Sequence, residues 1–234
     1  MILIQDDGYH ENLNPTHFFA PKEMLDYGYI RNGSIAERRV PEQEIIEWVF
    51  DNFITIDKTF VDIGAHIGTY SWILGTQSKK VYAFEPTKSI YNILCANIAL
   101  HNLSSKTEAH QVALSSQHEK MTFYENSIDG GTNGLMACND YIDKYEIEVK
   151  TLDDYNIENI GIIKIDVEGH ELAVLRGATQ TLRNNGYPPI LFECWDNPTL
   201  KEPLWSFLKE LDYIIENVGN STEMFIAHTE KLNV

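Results

Sequence analysis

From Phe60 onward the chain keeps one rhythm, in which short apolar runs are separated by amphipathic stretches. FVDIG leads into a helix-like segment, KVYAFEP into SIYNILCANIALHNL, and HQVALSS follows. MTFYE and EIEVKTL then flank a polar stretch, GIIKIDVEG leads into HELAVLRGATQTLRNN, PPILFEC into LKEPLWSFLKELD, and YIIEN and MFIAH close the series. Strand and helix in alternation predict a parallel sheet covered on both faces, with any ligand at the carboxyl ends of the strands. Residues 1–58 lack this pattern. They hold Pro15, Pro21 and Pro41, then EQEIIEWVFDNF, whose Ile45, Ile46, Val49, Phe50 and Phe53 recur at helical spacing. The expected organisation is an irregular, partly helical N-terminal cap over residues 1–57 and an α/β domain over residues 58–234. With 234 residues, 43% of them apolar, the chain is long enough for one good core.

Charge removes one class of partner. A net charge of −17 repels a phosphate backbone, whose recognition draws on clustered Lys and Arg, so no nucleic-acid partner is expected. The opening MILIQDDGYHENLN has neither the basic region nor the apolar length of a signal peptide, and no run approaches the ~18 apolar residues of a membrane helix. No membrane span and a reducing, cytoplasmic setting are the expectations. Cys95, Cys138 and Cys194 are odd in number and widely spaced, which speaks against a disulfide framework or a CxxC metal site. The histidines show no HxH or HExxH spacing, so His10, His17, His101, His110, His118 and His228 read as surface or supporting residues.

The corner FVDIGAHIGTYS carries the most chemical information. A dinucleotide fold places GxGxxG here so that the backbone can approach a pyrophosphate, but His66 fills the second glycine position. That bulky side chain, which leaves only Gly64 and Gly68 of the pattern, disfavours NAD, and no GxxxxGK[ST] is present for a nucleoside triphosphate. Glu85 closes the next strand, about 20 residues further on, where a carboxylate can accept both hydroxyls of a ribose. A nucleoside with a short zwitterionic tail suits this pair of features. S-adenosylmethionine fits, with Gly64 letting the loop pass close to the methionyl moiety, Asp62 accepting from its amino group and Glu85 holding the ribose. The plain alternative is that the two glycines only make a tight strand-to-helix turn.

FVDIGAHIGTYS, VYAFEPTKSIYNILCANIALHNL, VALSS, TLDDY, IIKIDVEGHELAVLRGA and ILFEC, in this order, resemble the FkbM-type methyltransferases, a class I S-adenosylmethionine-dependent family. The resemblance spans roughly residues 58–196, with DVEGHE and the downstream RGA its most specific part. It implies a Rossmann-like, seven-stranded sheet with the last strand antiparallel, and O-methylation of a hydroxyl on a sugar, a glycan or a polyketide-like molecule. It also implies that Ala65, Gly68, Pro86 and Ala113 join Asp62, Gly64 and Glu85 around the cofactor. His101 departs from the pattern, which often has Asn there. A binding module that keeps the fold without turnover is the reading from a different class.

In GIIKIDVEGHE, strand alternation puts Lys164, Asp166 and Glu168 on one side and Ile163, Ile165 and Val167 on the other. Three charges on one side of an apolar central strand are costly without a purpose or a partner. Glu193 should lie on the adjacent strand and pair with Lys164. Asp166 and Glu193 are expected to orient the acceptor or hold a divalent ion, and His170 to take the proton, unless it only caps the following helix. The alternative is a structural ion network. GYPPI reads as a turn before a strand. SIDGGTNGL reads as a lid or a plain hairpin loop. Trp48, Phe50, Trp205 and Phe207 fall at core-like positions, whereas Tyr9, His10, His17, Phe18, Phe19, Tyr27 and Tyr29 of the cap could offer aromatic faces to a sugar.

Overall fold

The computed structural model describes residues 2–5, 17–20, 42–53, 56–126, 131–136 and 141–229. A seven-stranded sheet forms the centre. Its first four parallel strands are β3 (Thr59–Ile63), β4 (Lys80–Phe84), β5 (Thr107–His110) and β9 (Ile160–Ile165). It is completed by β10 (Ile190–Glu193), β11 (Ile214–Asn217) and β12 (Met224–His228), in the order β11-β12-β10-β9-β3-β4-β5. The last strand, β12, inserts between β10 and β11 and runs antiparallel to both. That is the expected class I architecture. The chain leaves β3 for β4 on one side and returns as β9 on the other, so the carboxyl ends of β3 and β9 bound the crevice where such sheets take ligands.

Helices cover both faces. On one lie α1 (Gln43–Asn52), α2 (Thr69–Gln77) and α3 (Lys88–Leu100), packed on Phe60, Ile162, Leu191 and Ile226. On the other lie α4 (Glu171–Arg176), α5 (Thr179–Asn184) and α6 (Pro198–Glu210), over Val61, Ile63, Ile163, Ile165 and Phe192. Period-2 alternation deals successive residues of β3 and β9 to opposite cores. It therefore sends Asp62 and Lys164, which are register partners, toward the first face. Trp48 and Phe50 pack against the first core and Trp205 and Phe207 against the second, as their spacing predicts. GYPPI is a turn, with Gly186 and Tyr187 at positive φ and the Pro189 carbonyl accepting from Ile163 N–H at 3.0 Å.

Two local expectations give way. HELAVLRGATQTLRNN forms two short helices rather than one, broken at Gly177 and Ala178. A Cβ on Gly177 would stand 2.0 Å from the Ser115 carbonyl oxygen, so this backbone is pressed against Ser115. The N-terminal segment also holds more sheet than its sequence suggests. Beside the expected α1, β1 (Ile2–Gln5) and β2 (His17–Ala20) pair antiparallel. Strands of four residues are too short for alternation to reveal. Asn97 of α3, fully buried, treats β2 as a neighbouring strand would: its Oδ1 accepts from Phe19 N–H at 2.6 Å and its Nδ2 donates to Phe19 O at 2.9 Å and Ile67 O at 2.7 Å. Phe18 thereby enters the first core against Trp72, with ring centroids 6.4 Å apart, so it cannot offer a face to a sugar. Tyr9, His10, Tyr27 and Tyr29 lie outside the described residues, as does Cys138; Cys95 and Cys194 are free thiols.

A smaller sheet, β6 (Ala113–Leu114), β8 (Asp143–Lys150) and β7 (Glu119–Glu125), flanks the carboxyl edge. SIDGGTNGL joins its antiparallel hairpin. Residues 127–130 are outside the described set, but Gly134 exchanges backbone hydrogen bonds with Tyr124 at 2.9 and 3.1 Å, which lays residues 131–135 along the crevice. Among the described residues no helix is long and apolar enough to cross a membrane.

Candidate active site

The cleft at the carboxyl edge holds about 910 Å³ when space open to solvent is included. Gly64, Ala65, Glu85, Pro86, Ala113, Lys164, Asp166, Glu168 and His170 all line it. Asp62, Gly68 and Glu193 do not.

At one end Glu85, 6% exposed, follows β4. Its Oε1 accepts from Thr87 N–H at 2.8 Å and its Oε2 from His66 N–H at 3.1 Å. Burial pushes its pKa up, against the pull of His66 and these backbone donors. The carboxylate also accepts from the Thr87 side chain, and lone-pair capacity beyond these three bonds is left for a ligand hydroxyl. Gly64 sits at φ 74, and a Cβ there would stand 1.8 Å from the Asp166 carbonyl oxygen. Its missing side chain thus makes room for the end of β9 as well as for a ligand. Gly68, at φ 90, serves α3: a Cβ there would meet Leu94 Cδ1 at 2.6 Å. It therefore packs toward α3 and does not line the cleft.

Asp62 also departs from expectation. Fully buried on the sheet face under α2, it accepts from Ser71 Oγ–H at 2.5 Å and stands 3.8 Å from Lys164 Nζ. Lys164 in turn donates to Gly64 O at 2.8 Å, reaches Asp166 Oδ2 at 3.2 Å and lies 5.3 Å above the Tyr70 ring centre. Burial works against its charge, but Asp166 and Asp62 outweigh burial and hold its pKa above the ordinary lysine value. The expected Lys164–Glu193 pair is absent because register sets Leu191 beside Lys164 and leaves Glu193 level with Asp166. Acids meet there instead: oxygens of Asp166, Glu168 and Glu193 lie within 4.8 Å of one another, a set that could hold a metal ion.

Burial, reinforced by Asp166, pushes Glu168 up to about 8 and, with Asp166 and Glu168, pushes Glu193 up to about 9. These shifts make a stability prediction. A carboxyl with a raised folded-state pKa keeps a proton that the unfolded chain releases, so stability is greatest below the ordinary carboxylate range and falls as pH rises toward 9. Denaturant unfolding should give a lower free energy at pH 9 than at pH 5. Glu193→Gln should reduce that fall by more than about 1.4 kcal/mol, the equivalent of one pKa unit. An equally steep fall in the variant would show that Glu193 ionises freely in the folded protein.

His170 begins α4 through its backbone, its carbonyl accepting from Ala173 and Val174 N–H at 3.1 and 3.2 Å; its side chain makes no cap bond. The ring's Nε2 lies 3.0 Å from Ser115 Oγ instead, and burial lowers its pKa below the usual imidazole value. The imidazole is therefore neutral near pH 7 and available as a base. Ser115 is itself held by its N–H bond to Lys150 O at 2.8 Å and by the bare face of Gly177.

Residues 62–215 match the methyltransferase FkbM domain. The chain belongs to this family. Among curated proteins, the chain is 26% identical over 196 residues to methyltransferase sdnD of Sordaria araneosa, covering 66% of this chain and 73% of that protein. It is 27% identical over 144 residues to hexuronic acid methyltransferase AglP of Haloferax volcanii, covering 61% of this chain and 59% of that one. A crystal structure of methyltransferase FkbM from Methylobacillus flagellatus KT shares the fold at TM-score 0.56 and 18% identity, over 74% of this chain and 44% of that one.

Three further residues of the FkbM site escaped the sequence reading. Tyr70 follows the glycine corner directly, and its hydroxyl donates to Glu42 Oε2 at 2.7 Å. Glu171 closes the DVEG turn, its Oε1 accepting from Val167 and Gly169 N–H, both at 3.1 Å; an acid in the first turn of a helix was the available signal. Glu42 opens the helically spaced EQEIIEWVFDNF stretch, but it stands before the first apolar residue of that pattern and nothing in the sequence marked it as a site residue.

Proposed function

We infer that this FkbM member is an S-adenosylmethionine-dependent O-methyltransferase acting on a hydroxyl of a sugar or glycan. The observation that carries the cofactor is Glu85, a buried carboxylate with no Lys or Arg bonded to it among the described residues, opening into the cleft beside the Gly64 corner. A ribose diol suits that acceptor pair, and the site fits the nucleoside. The sugar acceptor is supported by the similarity to a hexuronic acid methyltransferase and by the polar wall of Asp166, Glu168, His170 and Asn133.

S-adenosylmethionine, when bound, supplies a methyl group on a sulfonium that departs as a neutral thioether. The residues' work is alignment and proton handling. Glu85 holds the nucleoside end. Asp166, with Lys164 beside it, accepts a hydrogen bond from the acceptor and orients it. His170 removes the hydroxyl proton as the C–O bond forms, which requires Nε2–H to donate to Ser115 so that Nδ1 keeps its lone pair. The N-terminal segment, whose α1 starts at the cleft, would select the acceptor.

Calorimetry with Glu85→Ala should show S-adenosylmethionine binding weakened by roughly 1.5–3 kcal/mol, the scale of a lost charge-assisted hydrogen bond. NAD should not bind the wild-type protein. Unchanged affinity in the variant would remove the basis of the cofactor reading. S-adenosylhomocysteine release on a glycan panel then tests the acceptor, and turnover of non-sugar alcohols alone would redirect it.

A further inference from the structure

The inward turn of Asp62 leaves the methionyl ammonium of the cofactor without the partner that the sequence suggested. Glu42 is placed to supply one. It lines the cleft with Gly64, Tyr70, Lys164 and Asp166, yet it comes from outside the FkbM core, at the residue that opens α1. Its position is rigid. The Glu42 carbonyl accepts from Ile45 and Ile46 N–H at 2.9 and 3.1 Å, and Ile46 and Val49 anchor the helix in the first core. Oε2 is committed to Tyr70, whereas Oε1 has no hydrogen-bond partner among the described residues.

The local charge is also incomplete. Glu42, Asp62 and Asp166 surround Lys164, the one permanent cation among the described residues there, which is already engaged by Asp62 and Asp166. Burial, and next the repulsion from Asp166, raises the Glu42 pKa against the opposing pull of Lys164, the Tyr70 hydrogen bond and His66, so among the described residues its charged form is only partly compensated. A ligand cation beside Oε1 would provide it. We propose that Glu42 receives the α-ammonium of the cofactor's methionyl tail, so that the N-terminal segment completes the donor site as well as facing the acceptor. This rests on the S-adenosylmethionine reading above.

The test compares three ligands by calorimetry: S-adenosylhomocysteine, its deaminated analogue that keeps the carboxylate, and 5′-methylthioadenosine, which lacks the amino-acid tail. Glu42→Gln should weaken S-adenosylhomocysteine about tenfold or more and leave the other two within about twofold. A merely structural change would weaken all three alike, and that result would overturn the proposal. A penalty specific to the amino group in Asp166→Asn but not in Glu42→Gln would also overturn it, by giving the ammonium to Asp166. If the wild-type protein bound none of the three, the cofactor reading would fall and take the proposal with it, whereas the other two failures leave that reading standing.

Discussion

Replacing His170 with alanine should lower turnover by about 100-fold or more at saturating donor and acceptor, with cofactor affinity close to that of the wild-type protein. The imidazole lines the cleft, is kept neutral by burial and is steadied by Ser115. Asp166→Asn should lose a similar factor by removing the oxygen that orients the acceptor and compensates Lys164. The acid limb of the pH–rate profile separates the candidate bases. A base must be deprotonated to work, so if His170 serves, activity falls only as pH drops below about 6.5, the ordinary imidazole value. If Glu168 or Glu193 served, the loss would begin far higher, near their values of about 8 and about 9. Near-normal turnover in His170→Ala eliminates it as the base. Activity removed by a chelator and restored by magnesium or manganese would instead assign proton management to an ion held by Asp166, Glu168 and Glu193.

Phe18→Ala should destabilise the protein by about 3–5 kcal/mol, the usual cost of emptying a buried phenylalanine site. The side chain is 1% exposed and packs with Trp72 in the same core as α2 and α3. Removal of residues 1–35 would take Phe18, Ala20 and the two Asn97–Phe19 bonds together, so the truncated protein should unfold at markedly lower denaturant than the full chain. Loss of methylation after that truncation would then report instability as much as acceptor selection. An unchanged unfolding midpoint in both variants would make the N-terminal strands a loose appendage.

The sheet was legible because its information is local and periodic. Runs such as IIKID and ILFEC announce central strands, and alternation placed Lys164 and Asp166 on one side. What alternation cannot provide is register. The parallel pairing of Ile190 with Ile163 brings Glu193 level with Asp166, and one acid meets another where a salt bridge had been expected. Depth was hidden in the same way: Asp62 shares a motif with Gly64, but parity directs its carboxylate under α2 rather than into the cleft. Gly177 announced a break only through its contact with Ser115, more than sixty residues away in sequence. Glu42 and Tyr70 meet across a shorter gap of 28 residues, and composition carries no trace of such encounters.

The close crossing of Gly64 over the Asp166 carbonyl has a bearing on redesign. Because main chain meets main chain there, the separation between the donor's corner and the acid end of β9 is set by the sheet itself and not by any exchangeable side chain. Changes at Asn133, Leu135 or Glu168 can reshape the cleft wall without altering that separation. Even a methyl group at Gly64 would wedge the two platforms apart. An engineer seeking a new acceptor for this scaffold should therefore vary the walls and leave the hinge of the cleft alone.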